Sequence, residues 1–130
     1  MSDNKEENTS PYSDEELEYF KNIILMKREQ ALKEMESLQK ILKENSENES
    51  DESAYSFHMA DAGSDMQERE KTYMLYNRTR KFLKYLDDAL KRIENKTYGI
   101  CKVTGKKISK GRLEAVPHTQ LSIEAKLKRS

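Results

Sequence analysis

Two stretches of the chain, 14–45 and 65–96, contain neither glycine nor proline and repeat their apolar residues on a heptad. In the first, Leu17, Ile24, Ala31, Met35, Leu38 and Leu42 follow one another at intervals of 7, 7, 4, 3 and 4, with Arg28 as a polar interruption. In the second, Tyr76, Leu83, Leu86, Leu90 and Ile93 are spaced by 7, 3, 4 and 3. Residues three, four and seven apart share one face of a helix, so each stretch has a single apolar stripe that needs a partner. An antiparallel helical hairpin buries both stripes within one chain. A parallel dimer of long helices is the alternative.

The helix boundaries follow from capping chemistry. Ser13-Asp14-Glu15-Glu16 is a Ser-x-x-Glu capping box with acids in the first turn, where the helix dipole favours them. It predicts a first helix from Asp14, of about 30 residues and about 45 Å. Ser64-Asp65-Met66-Gln67 repeats the pattern as Ser-x-x-Gln and predicts a second helix from about Asp65 to Lys96. Between them "ENSENESDES" is polar and unperiodic, and "AYSFHMADAG" alternates Tyr55, Phe57 and Met59. A tip loop at about 46–64 is expected, and residues 1–12 read as a disordered tail.

Charged residues make up 37% of the chain and its mean hydropathy is −1.03. Few apolar groups remain to offset chain entropy, which disfavours a compact globule and suits thin helical architecture. Residues 1–65 hold 7 Lys+Arg against 17 Asp+Glu, a net of −10, and residues 66–130 hold the reverse, +10. Such asymmetry lets two helices attract along their flanks, or offers a basic face to an acidic partner. Arg78, Arg80 and Lys84 are the candidate basic contacts on the second helix. No apolar run approaches the roughly 20 residues that span a bilayer. The acidic N-terminus lacks the apolar core of a signal peptide, and one cysteine excludes an internal disulfide. A cytoplasmic monomer is the expectation.

After Lys96 the texture changes. "TYGICKVTGKKIS" alternates β-formers between glycine turns and predicts a β-hairpin; "RLEAVP" suggests a short strand, and "HTQLSIEAKLK" a short final helix. The fold class is therefore mostly α: a long antiparallel hairpin, 13–96, followed by a small ribbon-like module, 97–130. A module this small usually needs a metal or disulfide. Ile100, Val103, Ile108, Leu113, Val116, Leu121 and Ile123 are its candidate apolar core, and Cys101 reads as a small buried hydrophobe. His118 reads as a surface or capping neighbour of Thr119.

Tyr98-Gly99-Ile100-Cys101, Gly105, Arg112-Leu113-Glu114-Ala115 and Pro117 stand in the order and spacing of a known module. This segment closely resembles the DksA/TraR family of bacterial RNA polymerase regulators, in which a helical hairpin precedes C-x2-C-G, RLEA-x-P and a second C-x2-C. The resemblance covers about residues 60–126 and places the four zinc ligands at Cys101, Thr104, Ser122 and Ala125. A structural zinc takes four ligands, usually Cys or His, so this set predicts a metal-free ribbon. It further implies that the hairpin enters the secondary channel of RNA polymerase with an acidic tip. The family's Asp-x-x-Asp-x-Ala tip falls on His58, Asp61 and Gly63, with Asp65 as a second nearby carboxylate. Cysteine-rich relatives also respond to guanosine tetraphosphate; three corresponding positions are Tyr85, Val116 and Lys126, of which only Lys126 stays basic.

No nucleophile–base pair and no phosphate-cradling glycine loop is present, so no catalytic residue and no cofactor are predicted. The function expected is a transcription regulator that binds RNA polymerase directly, without sequence-specific DNA binding. A structural coiled-coil adaptor is the competing reading. A nucleic-acid module ranks below both, because the basic residues lie among heptads rather than beside stacking aromatics.

Overall fold

The computed structural model describes the backbone of residues 10–49 and 62–129, and the side chains of 10–44 and 66–128. The described residues form four helices in order: α1 (Asp14–Glu49), α2 (Ala62–Glu94), α3 (Lys110–Ala115) and α4 (Ile123–Arg129). The only strand-like feature among the described residues is an isolated antiparallel bridge between Ile100 and Lys107. The chain divides into two compact units, residues 1–29 with 84–130, and residues 30–83.

The capping box at the start of α1 is formed in both directions. Ser13 N–H donates to Glu16 Oε1 at 3.0 Å, and Glu16 N–H donates to Ser13 Oγ at 3.2 Å. Its far end runs on to Glu49, so 46–49, expected to open the tip loop, are helical. Nothing in that stretch breaks a helix: it has neither glycine nor proline, and its glutamates are good helix formers. The second capping box is not a helix start. α2 begins at Ala62, which puts Ser64 inside the helix, whereas a capping residue keeps non-helical dihedrals. Residues 50–61, which include the alternating aromatics and Asp61, lie outside the described residues.

The first unit has a buried core. On α1 it takes Leu17, Phe20 and Ile24; on α2 it takes Leu86, Ala89 and Ile93. The two segments run antiparallel, because Asp14 Oδ1 meets Lys96 Nζ at 3.0 Å while Arg28 Nε meets Asp87 Oδ1 at 2.7 Å. Arg28, the break in the first heptad stripe, is thus a partner for the second helix. Leu86 is fully buried, and Leu86→Ala is expected to cost about 2–5 kcal/mol. A midpoint in urea unchanged from wild type would remove Leu86 from the core. In the second unit Ala31 and Thr79 are buried, while Met35, Leu38, Leu42, Tyr76 and Leu83 are half-buried.

α2 ends in a Schellman motif. Thr97 N–H reaches Arg92 O at 2.8 Å and Lys96 N–H reaches Ile93 O at 3.1 Å, with Lys96 at φ 61°. Glycine is the usual residue there. Lys96 is held instead by the ion pair with Asp14 and by Ser10 N–H, which donates to its carbonyl at 2.8 Å. Residues 10–12, the end of the segment 1–12 expected to be a disordered tail, are therefore held by the fold. Ser10 Oγ also donates to Tyr98 O at 2.7 Å, and Tyr12 is buried against Phe20, ring centres 5.2 Å apart.

Candidate functional site

The segment after α2 closes into a compact module around Tyr98, Cys101, Ile108, Leu113 and Pro117, all fully buried. Turn geometry starts it. Gly99 at φ 88° and Gly105 at φ 71° supply backbone that L side chains rarely adopt. Between them Cys101 N–H donates to Lys106 O, Gly105 N–H to Cys101 O and Ile108 N–H to Gly99 O, each at 2.8 Å. These bonds make a knuckle rather than the expected β-hairpin, since only one residue pair bridges. "RLEA" is helix α3, not strand: Ser109 caps it by accepting from Arg112 N–H at 3.2 Å, and Arg, Leu, Glu and Ala are strong helix formers.

The second half of the module is pinned by hydrogen bonds to its backbone carbonyls. Tyr98 Oη donates to Pro117 O at 2.6 Å, Arg92 donates to His118 O at 3.1 Å, and Lys102 N–H donates to Gln120 O at 2.9 Å. The expected core is right for Ile108 and Leu113, while Val103 (63% exposed) and Ile123 (50%) face solvent. Alternation does not locate the core here, because the backbone turns instead of extending.

The four positions that the family resemblance gives to zinc do come together. Cys101 Sγ accepts from Ser122 N–H at 3.4 Å, and Ser122 Oγ accepts from Ala125 N–H at 3.2 Å. Thr104 also hydrogen-bonds to the sulfur through its amide and its hydroxyl. Burial pushes the Cys101 thiol up, but these bonds from Ser122 and Thr104 outweigh it and hold the thiol at about 6. Cys101 is therefore buried, as expected, yet it works as a hydrogen-bond acceptor and not only as a small hydrophobe. The donor set does not fit a structural zinc. One thiol, two hydroxyls and a buried methyl replace four soft ligands, and Ser122 Oγ is already committed to capping α4. Among the described residues no group of three or more His, Cys, Asp and Glu is placed to hold a metal.

Beside the module lies an open hollow of about 490 Å³. It gathers Tyr85, Val116 and Lys126, the three positions singled out for a nucleotide response, with Arg92, Lys102 and His118. The Tyr85 and His118 rings stack at 5.9 Å, 4° from parallel. Burial first, then the nearby Arg92, Lys27 and Arg112, push the His118 imidazole below its ordinary range, so it stays neutral near pH 7. His118 is half-buried rather than a simple surface residue. Both arginines on the rim spend hydrogen bonds on the chain itself: Arg92 on His118 O, and Arg112 Nε on Leu121 O at 3.4 Å.

Arg78, Arg80 and Lys84 are all exposed on α2. Arg80 and Lys84 lie one turn apart, whereas Arg78 is two residues from Arg80 and so falls on the opposite side. The three do not form one patch. Gly63 and Asp65 have helical backbone at the start of α2, and Asp61 lies outside the described residues. Tyr12, Tyr98 and Pro117 lie outside both heptad stretches, so periodicity does not point to them; Phe20, three residues after Leu17 and four before Ile24, falls on the first apolar stripe and was left out of it.

Comparison with known proteins covers most of the chain. Residues 96–130 match the model of the prokaryotic dksA/traR C4-type zinc finger. Over 113 residues the chain is 35% identical to the RNA polymerase-binding transcription factor DksA of Caulobacter vibrioides, covering 87% of this chain and 75% of that protein. It is 48% identical over 65 residues to YteA of Bacillus subtilis, covering 50% of this chain and 27% of YteA. Among solved structures, transcription factor DksA2 from Pseudomonas aeruginosa matches with a TM-score of 0.74 at 31% identity, over 87% of this chain and 81% of that one.

Proposed function

The chain belongs to the DksA/TraR family, and from that membership we propose that it is a transcription regulator that binds RNA polymerase directly. The observation that carries this reading is the reach of the similarity. A match of 113 residues cannot be contained in the 35-residue zinc-finger segment, so it takes in helix as well as module, and the relative is named for binding the polymerase. The solved relative supports the same architecture.

The finer mechanism is part of the proposal. The helical hairpin enters the secondary channel, and a carboxylate at its tip acts near the active site, by perturbing the catalytic magnesium or pairing with a basic polymerase side chain. Asp61 is the carboxylate assigned, with Gly63 and Asp65 beside it, and Arg80 and Lys84 contact the polymerase from the stem. The protein acts by binding and not by catalysis. Lys126 is the one basic residue among the three nucleotide positions, so a weaker response to guanosine tetraphosphate is expected than in cysteine-rich relatives.

The test pairs affinity with output. Purified chain should capture core polymerase from a bacterial lysate; failure to do so would sink the reading in favour of a coiled-coil adaptor. Asp61→Asn keeps the size of the side chain and removes its charge. It should leave polymerase affinity and helicity unchanged and reduce the effect on promoter-specific transcript yield roughly tenfold, the worth of one hydrogen bond to a charged group. Asp65→Asn serves as the alignment control. If both variants bind and regulate like wild type, the tip carboxylate has no role.

A further inference from the structure

We propose that residues 97–126 have exchanged their metal for a sulfur-centred set of hydrogen bonds, clasped from outside by Ser10–Tyr12, so that this module keeps its fold whatever the supply of zinc.

Each former ligand position has a new duty. Cys101 Sγ is the hub and takes the Ser122 N–H at 3.4 Å. Thr104 bonds to the same sulfur while its Oγ1 accepts from Lys106 N–H at 3.2 Å, which braces the knuckle turn. Ser122 ties both halves together, its amide on the sulfur and its hydroxyl on Ala125 N–H at the start of α4. Ala125 fills the last place with a buried methyl. A metal ion joins two knuckles by bonding to both. Here Ser122, Lys102 N–H on Gln120 O and Tyr98 Oη on Pro117 O make that join.

The clasp is the second component, and it comes from the other end of the chain. Tyr12 Oη donates to Ile108 O, and its ring lies over Gly99, so close that a Cβ on Gly99 would sit 2.6 Å from Tyr12 Cε2. Ser10 holds Lys96 O and Tyr98 O. The first knuckle is thereby fixed at both ends, at Gly99 and at Ile108, by side chains that precede α1. Lys107 lies over the Tyr12 ring at 4.7 Å and covers the contact.

The experiment needs no polymerase, so its failure and the failure of the proposed function are distinguishable. The full chain is melted with and without a strong zinc chelator, its metal content is measured, and cobalt is titrated into wild type and into a T104C/S122C/A125C variant. The expected result is substoichiometric zinc, a chelator-insensitive melt, and no cobalt–thiolate absorbance for wild type. The triple variant takes up one cobalt per chain and its melt becomes chelator-sensitive, because the four positions already converge. Tyr12→Phe, which removes only the bond to Ile108 O, lowers the melt by about 4 °C. One zinc per chain in wild type, or a melt that chelator lowers, overturns the proposal. A folded triple variant that takes no cobalt overturns the convergence, and a Tyr12→Phe melt equal to wild type overturns the clasp. The wild-type and Tyr12→Phe readings decide the matter even where the triple variant fails to fold.

Discussion

Replacing Tyr98 with alanine is expected to cost about 3–5 kcal/mol, the range for deleting a fully buried aromatic side chain. Tyr98 has no exposed surface, its ring centre lies 5.5 Å from that of Phe20, and its hydroxyl holds Pro117 O at 2.6 Å. It therefore joins the base of the helices to both halves of the module. Tyr98→Phe separates ring from hydroxyl. It leaves the packing and orphans the Pro117 carbonyl, for an expected loss of about 1–3 kcal/mol. Equilibrium unfolding in urea, followed by circular dichroism, measures both; a loss below about 1 kcal/mol in Tyr98→Ala would mean that the ring is not a core element.

The same residues set an alkaline limit. Burial raises the Tyr98 phenol far above its ordinary range, and it raises Tyr12 too, helped by the nearby Glu16. The folded chain thus prefers both groups neutral. Their contribution is fully present below about pH 10, where the unfolded phenols are also neutral, and it is lost as pH rises through the higher folded-state values. Stability should fall above about pH 10, and the fall should be shallower in Tyr98→Phe. An identical alkaline slope in the two proteins would contradict burial of that hydroxyl.

Gly99→Ala is the second large effect, and its cause is different. Gly99 sits at φ 88°, where a Cβ is strained by about 1–2 kcal/mol. The new methyl would also stand 2.6 Å from Tyr12 Cε2 and 2.7 Å from Cδ2, forcing the ring off the knuckle, and overpacking of this kind costs about 1–3 kcal/mol. The total is about 2–5 kcal/mol. Gly105→Ala is the comparison, with φ 71° but nothing within 4 Å of the added carbon, so it should lose only the strain. If the two alanine variants melt together, the Tyr12 contact adds nothing to the cost at Gly99.

Helix placement was legible because it rests on local rules. Leu17, Ile24 and Ala31 are buried as the heptad required, and the Ser13–Glu16 box is formed as written, since capping needs only residues three apart. The same rule misled at Ser64, where helix begins earlier, at Ala62. Within the candidate site, the identity of the zinc positions followed from a family pattern, and the absence of four soft ligands followed from the letters alone. The tip assignment at Asp61 was read from the same pattern and stands as a proposal.

What residues 10–12 and 97–126 do could be decided only in three dimensions. Tyr12 and Ile108 are 96 residues apart, and Ser10 and Tyr98 are 88 apart. No periodicity links such pairs, so a segment that reads as tail becomes a clasp only when the chain returns. Likewise nothing in "CKVTGKKIS" announces that a thiol would accept hydrogen bonds from Ser122, or that RLEA would coil instead of extending. Heptads and capping boxes determine helices because their energy lies between near neighbours, whereas the C-terminal module depends on contacts whose partners are set by the fold itself.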